Sequence, residues 1–257
     1  MKEETVYKKC PLCEETKLES EYDFPHIFPQ SCDNNKSVFG FSMEDIMNGE
    51  EIYKENGKPK GKYINQRGFG LRSICKKCNN YSGSHYTNAF IDFYKQGLTA
   101  YENRKSVSVD LSCKNIYPLR ILKEIMMMFV IINHNNPLTG NFKDYLLNKE
   151  NQNLPKDYNI YAYFTEDICR IASLALAQRN KYGEMIISSY SCVSYKPFGF
   201  VLTYNSLPSL KYDRICDIVA FSKYKYVEQE YLRLPLQVIN NPASLNSPSE
   251  YMKHLIY

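Results

Sequence analysis

A chain of 257 residues, 44% of them apolar, has material for one large domain or two smaller ones around a sizeable core. A net charge of +4 does not by itself indicate a polyanionic partner. The longest apolar run, Ile125 to Ile132, is far short of the roughly 20 residues that cross a bilayer. No apolar stretch follows the first five residues, so neither a membrane partner nor a secretory signal is expected. Nine cysteines, an odd number, then indicate a reducing, cytoplasmic setting, where paired Cys-x-x-Cys reads as zinc before disulfide.

In chain order, the first hundred residues are rich in turns. Short strands are expected at Phe24–Phe28, Tyr63–Gln66 and Phe69–Ile74, and a short helix at Ser42–Met47 behind an N-capping serine. Gly57 to Gly61 reads as a turn between strands. A longer helix is expected from just after Cys75 through Tyr94, with Gly97 near its end. From Pro118 the apolar positions Leu119, Leu122, Ile125, Met126, Phe129 and Val130 fall at helical spacing. Further apolar residues all round this helix predict burial on most sides, with the methionines as core filling.

From about Tyr158 the pattern changes to short aromatic and β-branched runs: Tyr161–Phe164, Ile168–Leu176, Met185–Tyr195, Phe198–Tyr204 and Ile215–Phe221. Turn signals separate them, so an antiparallel sheet is expected. The tail with Pro235, Pro242 and Pro248 reads as extended and irregular. The fold class is therefore α+β, in three stretches: residues 1–100, a helical connector over 101–150, and a β-rich C-terminal module over 151–257.

The chemistry concentrates in the first stretch. Cys10-Pro-Leu-Cys13 and Cys75-Lys-Lys-Cys78 are two knuckles whose four sulfurs can close a tetrahedral structural zinc site. Cys10, Cys13, His26 and Cys32 also match the spacing of a ββα zinc finger. That finger needs His26 on a helix, and Pro25 and Pro29 oppose one at a cost of roughly 3 kcal/mol. The residue before a proline is also driven to extended geometry, and a finger would leave Cys75 and Cys78 without a partner. The four-cysteine site is therefore preferred. Cys32, Cys113, Cys169, Cys192 and Cys216 lack paired spacing and read as small buried side chains, and His134 and His254 as ordinary histidines.

The ordered set of two knuckles, with His26-Ile-Phe-Pro29 between them, Asn79 directly after the second and Gly83 beyond, resembles the zinc-clipped HNH endonucleases. The resemblance covers roughly residues 8–95. It implies an N-terminal ββα-metal nuclease fold with a structural Zn²⁺, and hydrolysis of DNA phosphodiester bonds with a catalytic Mg²⁺ or Mn²⁺. His26 takes the place of the family's general base, and Asn79 that of a helix-borne metal ligand, with Asn80 the fallback. Pro25 stands where the family usually keeps an acid, and Asp23, two residues earlier on the same face of an extended chain, is the candidate substitute. His85 is a further candidate for the catalytic metal. The family's middle asparagine has no clear counterpart: Gly70 falls near its place and Asn65 lies further off. The same resemblance raises a role in bacterial antiviral defence, with an ATPase or another defence-system subunit as partner.

Between Asn56 and Ile91 the chain carries Lys58, Lys60, Lys62, Arg67, Arg72, Lys76 and Lys77 and no acid, with aromatic residues interleaved. This is a phosphate-binding footprint, for DNA first and RNA as the alternative. The competing function is a non-catalytic zinc module that binds nucleic acid or a protein partner.

Overall fold

The computed structural model describes residues 6–40, 63–65, 68–134, 142–167, 170–179, 185–205 and 215–239. The helix expected at Ser42–Met47 and the Gly57 turn lie outside them. The chain is mixed α and β, and its sheets are antiparallel. No helix among the described residues is long and apolar enough to cross a membrane.

Strands β1 (Tyr7–Lys9) and β2 (Thr16–Leu18) form a hairpin whose connection carries Cys10 and Cys13. The segments expected as strands around Phe24–Phe28 and Phe69–Ile74 run antiparallel to each other but pair only through isolated bridges, Tyr22 with Cys75 and His26 with Gly70. Asp23 N–H donates to the Ile74 carbonyl (3.1 Å), Ile27 N–H to Phe69 (2.9 Å) and Leu71 N–H to Pro25 (3.2 Å). Pro25 and Pro29 have no N–H to give, so the ladder cannot continue into a regular strand. Between these segments lie β3 (Val38–Gly40) and β4 (Tyr63–Asn65), paired with each other.

Helix α1 (Lys76–Ser82) starts directly after Cys75. A π-helical turn (Gly83–Thr87) joins it to α2 (Asn88–Glu102), so the helical run is longer than the sequence suggested. Gly97 does not end it. A Cβ there would lie 2.1 Å from the Phe198 ring, so this glycine lets the helix pass close to the sheet. Strand β5 (Ser108–Ile116) follows, then α3 (Pro118–Ile132), buried on nearly every side as its sequence predicts. A short helix, α4 (Lys143–Leu147), leads to the sheet.

That sheet contains β6 (Tyr158–Phe164), β7 (Arg170–Arg179), β8 (Met185–Tyr195), β9 (Phe198–Tyr204) and β10 (Cys216–Asp217), in the order β10-β6-β9-β8-β7. The runs at Met185–Tyr195 and Phe198–Tyr204 match their strands residue for residue. The run from Ile215 to Phe221 gives only β10, followed by a 3-10 turn (Val219–Lys223).

Besides the three-residue strands β1, β2 and β3, two longer strands escaped the sequence reading. Strand β5 lies inside the stretch expected to be helical, and β11 (Glu230–Gln237) inside the tail expected to be irregular. They form their own two-stranded ribbon, in which Pro235 faces Asp110. Among the described residues neither pairs with a second strand, so a proline without an N–H is tolerated there.

The main core joins the knuckle segments, all four helices, β5, β6, β8, β9 and β11, and a second cluster in the large sheet gathers Tyr161, Tyr163, Tyr190, Cys192, Val201 and Ile215. Phe28 binds the first stretch to the main core, with ring centroids 5.8 Å from Phe90, 5.4 Å from Tyr195 and 6.1 Å from Phe200. The Tyr195 hydroxyl also donates to the Asp33 carbonyl at 2.8 Å. The C-terminal sheet is thus the platform on which the His26 segment rests. Of the unpaired cysteines, Cys32, Cys113 and Cys192 are buried as expected; Cys216 is only half-buried, and Cys169 lies outside the described residues.

Candidate metal centre and adjoining cleft

The β1–β2 connection presents Cys10 and Cys13, the second extended segment ends on Cys75, and the first turn of α1 adds Cys78. All four are buried, and their sulfurs lie within 4.8 Å of one another. The Cys10–Cys78 and Cys13–Cys75 separations are 3.9 and 3.8 Å. Sulfurs about 2.3 Å from a tetrahedral zinc would be about 3.8 Å apart, so the tetrad has the dimensions of a zinc site. A hydrogen bond with Cys78 lowers the pKa of the Cys10 thiol, while that same bond raises Cys78 and burial raises Cys13, so the tetrad favours one thiolate at Cys10 and resists charging all four sulfurs without a cation. With four protein sulfurs no position is left for a substrate, so the centre is a clip.

The clip fixes the segment carrying His26 against the start of α1. His26 and Asn79, far apart in sequence, line one cleft of ≈ 230 Å³. The His26 ring lies edge-on to Phe24, with centroids 5.7 Å apart. The Asn79 amide donates to Asp23 Oδ2 at 2.8 Å, and Phe24 N–H donates to Asp23 Oδ1 at 2.9 Å. Partial burial resists the Asp23 charge, but these two donors, with Lys76 and Arg72 nearby, hold its carboxyl below the usual range. Asp23 is therefore an anion beside Asn79. The amide nitrogen, not its oxygen, faces Asp23; a carboxylate and an amide oxygen are ligand types that suit a hard divalent cation, and Asn79 would have to turn its oxygen to join Asp23 on one.

Asn34 was missed by the sequence reading. It is buried, and its amide donates to the carbonyls of Phe28 (2.6 Å) and Phe69 (2.9 Å) while its Oδ1 accepts from Phe69 N–H (2.6 Å). One side chain thus ties the two extended segments together below His26. Neither position considered for a middle asparagine does this. Gly70 pairs with His26 through its backbone, and a Cβ there would meet the Phe24 ring at 2.5 Å. Asn65 sits in β4 opposite Val38. In the sequence Asn34 is one polar residue of a turn-forming run, with nothing to single it out. Asn34→Ala orphans the Phe28 carbonyl and the Phe69 N–H, while the Phe69 carbonyl keeps the Ile27 N–H, and at about 1–3 kcal/mol each, less than additively, the expected loss is roughly 2–4 kcal/mol in denaturant unfolding.

His85 is not among the cleft-lining residues. Its Nδ1 lies 3.1 Å from the Tyr226 hydroxyl and its ring 4.5 Å from that of Tyr81. Burial, with Lys149 and Arg120 close by, holds its imidazole below the ordinary value. Asn80 is exposed next to Asn79. Of the basic series, Arg72 and Lys76 lie close enough to Asp23 to favour its charged form, while Lys77 pairs with Glu15 at 3.7 Å. Lys58, Lys60, Lys62 and Arg67 lie outside the described residues, as does His254.

Comparison with family models, with curated proteins and with solved structures returns no match. What the site can do is therefore read from its own residues: a buried cysteine tetrad able to hold a structural metal such as zinc, and beside it a cleft lined by an imidazole and an amide, the amide hydrogen-bonded to the Asp23 carboxylate.

The cleft holds one more group that sequence reading passed over. Glu124 of α3 is buried and lines it, accepting from Ser82 Oγ and Thr87 Oγ1, each at 2.9 Å. Burial pushes its carboxyl up to about 7 despite these donors. The signal was present in Lys123-Glu124, two charges in a helix predicted to be buried on most sides. Lys123 Nζ donates to the carbonyls of Tyr145 and Asn148, which leaves Glu124 to the cleft.

Proposed function

We propose that this chain is a metal-dependent endonuclease of the HNH kind, hydrolysing DNA phosphodiester bonds. The observation that carries the reading is the convergence of His26 and Asn79 on one cleft, with Asp23 hydrogen-bonded to Asn79. In this reading His26, held extended between two prolines, takes a proton from the attacking water. An imidazole suits that role because it changes charge nearest physiological pH. Asn79 and Asp23 hold the cation, Mg²⁺ or Mn²⁺, and Asp23 replaces the acid that Pro25 cannot supply. When bound, that cation stabilises the charge developing on the scissile phosphate and the leaving 3′ oxygen. Arg72 and Lys76 favour the approach of a phosphate backbone.

A second reading, a zinc module that binds nucleic acid or a protein without cutting, is favoured by Pro25 itself. The two separate in one assay. Zinc-loaded protein is incubated with supercoiled plasmid and Mg²⁺ or Mn²⁺, beside His26→Ala. Nicking by the wild type alone supports the nuclease. Salt-sensitive binding with no strand break under either metal supports the binding module.

A further inference from the structure

We propose that Glu124 is the general acid of this cleft, donating a proton to the leaving oxygen; the assignment rests on the phosphodiesterase reading above. Ser82 follows Asn79 by three residues on α1, so the two share a helix face, about 5–6 Å apart. Ser82 and Thr87 each hold one oxygen of Glu124, which fixes the carboxyl about one helical turn along the cleft from Asn79. Met127, Met128 and Ile131 of the same helix, with Ile91 of α2, give that end apolar walls. Among the described residues no cation pairs with Glu124.

In such surroundings the neutral carboxyl is favoured, and its ionisation moves up to about 7. Each oxygen already accepts one hydroxyl hydrogen, so the acid proton occupies a remaining lone pair, free to point into the cleft. Three titratable groups lie on the elements packed around it. His26 lines the same cleft from the extended segment. Cys32, in the 3-10 turn Gln30–Cys32, is close enough to feel its charge. His85 in the π-helical turn is directed to Tyr226.

The step balances. Water loses a proton to His26 as its oxygen bonds to phosphorus. The phosphorus–O3′ bond breaks, and its electron pair goes to O3′, which takes the Glu124 proton. The products are a 5′ phosphate and a 3′ hydroxyl, and Glu124 is reprotonated from water.

A leaving group that needs no proton makes the acid dispensable. We therefore compare DNA with the p-nitrophenyl ester of thymidine 5′-phosphate, using zinc-loaded full-length protein with Mn²⁺. Glu124→Gln, close in shape, is expected to lose about 10²–10³-fold on DNA and less than about threefold on the aryl ester, while His26→Ala loses activity on both. In the wild type, cutting of DNA should fall as pH rises through about 7 while cleavage of the ester does not. That second measurement needs no variant and stands if Glu124→Gln unfolds. Equal losses on the two substrates, or parallel pH profiles, would overturn the assignment and leave the nuclease reading intact. Failure of the wild type to cleave either substrate would sink both.

Discussion

Replacing Cys78 with serine is expected to release the bound metal and lower the melting temperature by roughly 10–20 °C. The four sulfurs gather from two distant pieces of chain: the β1–β2 connection, and the end of the second extended segment running directly into the first turn of α1. Small zinc modules owe on the order of 10 kcal/mol or more to their metal. Here the aromatic contacts of Phe28 continue to hold part of the first stretch, so a loss on the order of 5 kcal/mol is expected. For a chain of this size about 1 kcal/mol corresponds to roughly 2–4 °C. The checks are elemental analysis, giving one zinc per chain for the wild type and none for the variant, and a thermal melt with and without a strong chelator. The β1–β2 hairpin should become the first site of proteolysis, because little else holds it to the core.

His26→Ala should lower plasmid cleavage by about 10²–10⁴-fold, the range a positioned general base contributes, while leaving the zinc content and melting temperature near wild type. The imidazole lines a cleft, and its segment is held by backbone hydrogen bonds, by Asn34 and by Phe28, none of which needs the ring. Asn79→Ala should produce a comparable loss with a different signature. Because Asn79 is proposed to hold the cation with Asp23, its variant should require more Mn²⁺ to reach half-maximal rate, whereas His26→Ala should not. Titrating rate against Mn²⁺ separates the two roles. If both variants shift the metal requirement equally, His26 is a ligand and the proposed division of labour is wrong.

What the sequence made legible is what local chemistry dictates. The cysteine spacings suit a common metal site wherever the rest of the chain goes, and the fold brings the four sulfurs together; Pro25 and Pro29 bar a helix around His26 whatever packs against it. Helix α3 was readable because its apolar residues leave no polar face, and β8 and β9 because turn residues bound them. The failures lie where partners far apart in sequence decide. Strands β5 and β11 exist because they pair with each other, and Pro235 argued locally against the second. Gly97 reads as a helix end until the Phe198 ring is seen beside it. Asn34 carries no local signature, and Glu124 only that of a charge in a helix expected to be buried. The first matters because a carbonyl and an amide need a partner at one point in the fold, and the second because a buried helix turns one carboxyl toward the residues of α1.

Anomalous diffraction from crystals of the zinc-loaded protein soaked in Mn²⁺, collected at the zinc and manganese edges, tests most directly whether clip and cleft divide the work. One zinc peak at the centre of Cys10, Cys13, Cys75 and Cys78, and one manganese peak within about 2.0–2.3 Å of oxygens of Asn79 and Asp23 and facing His26, is the predicted result. Manganese absent from the cleft, under conditions where the same protein cuts plasmid, would contradict it.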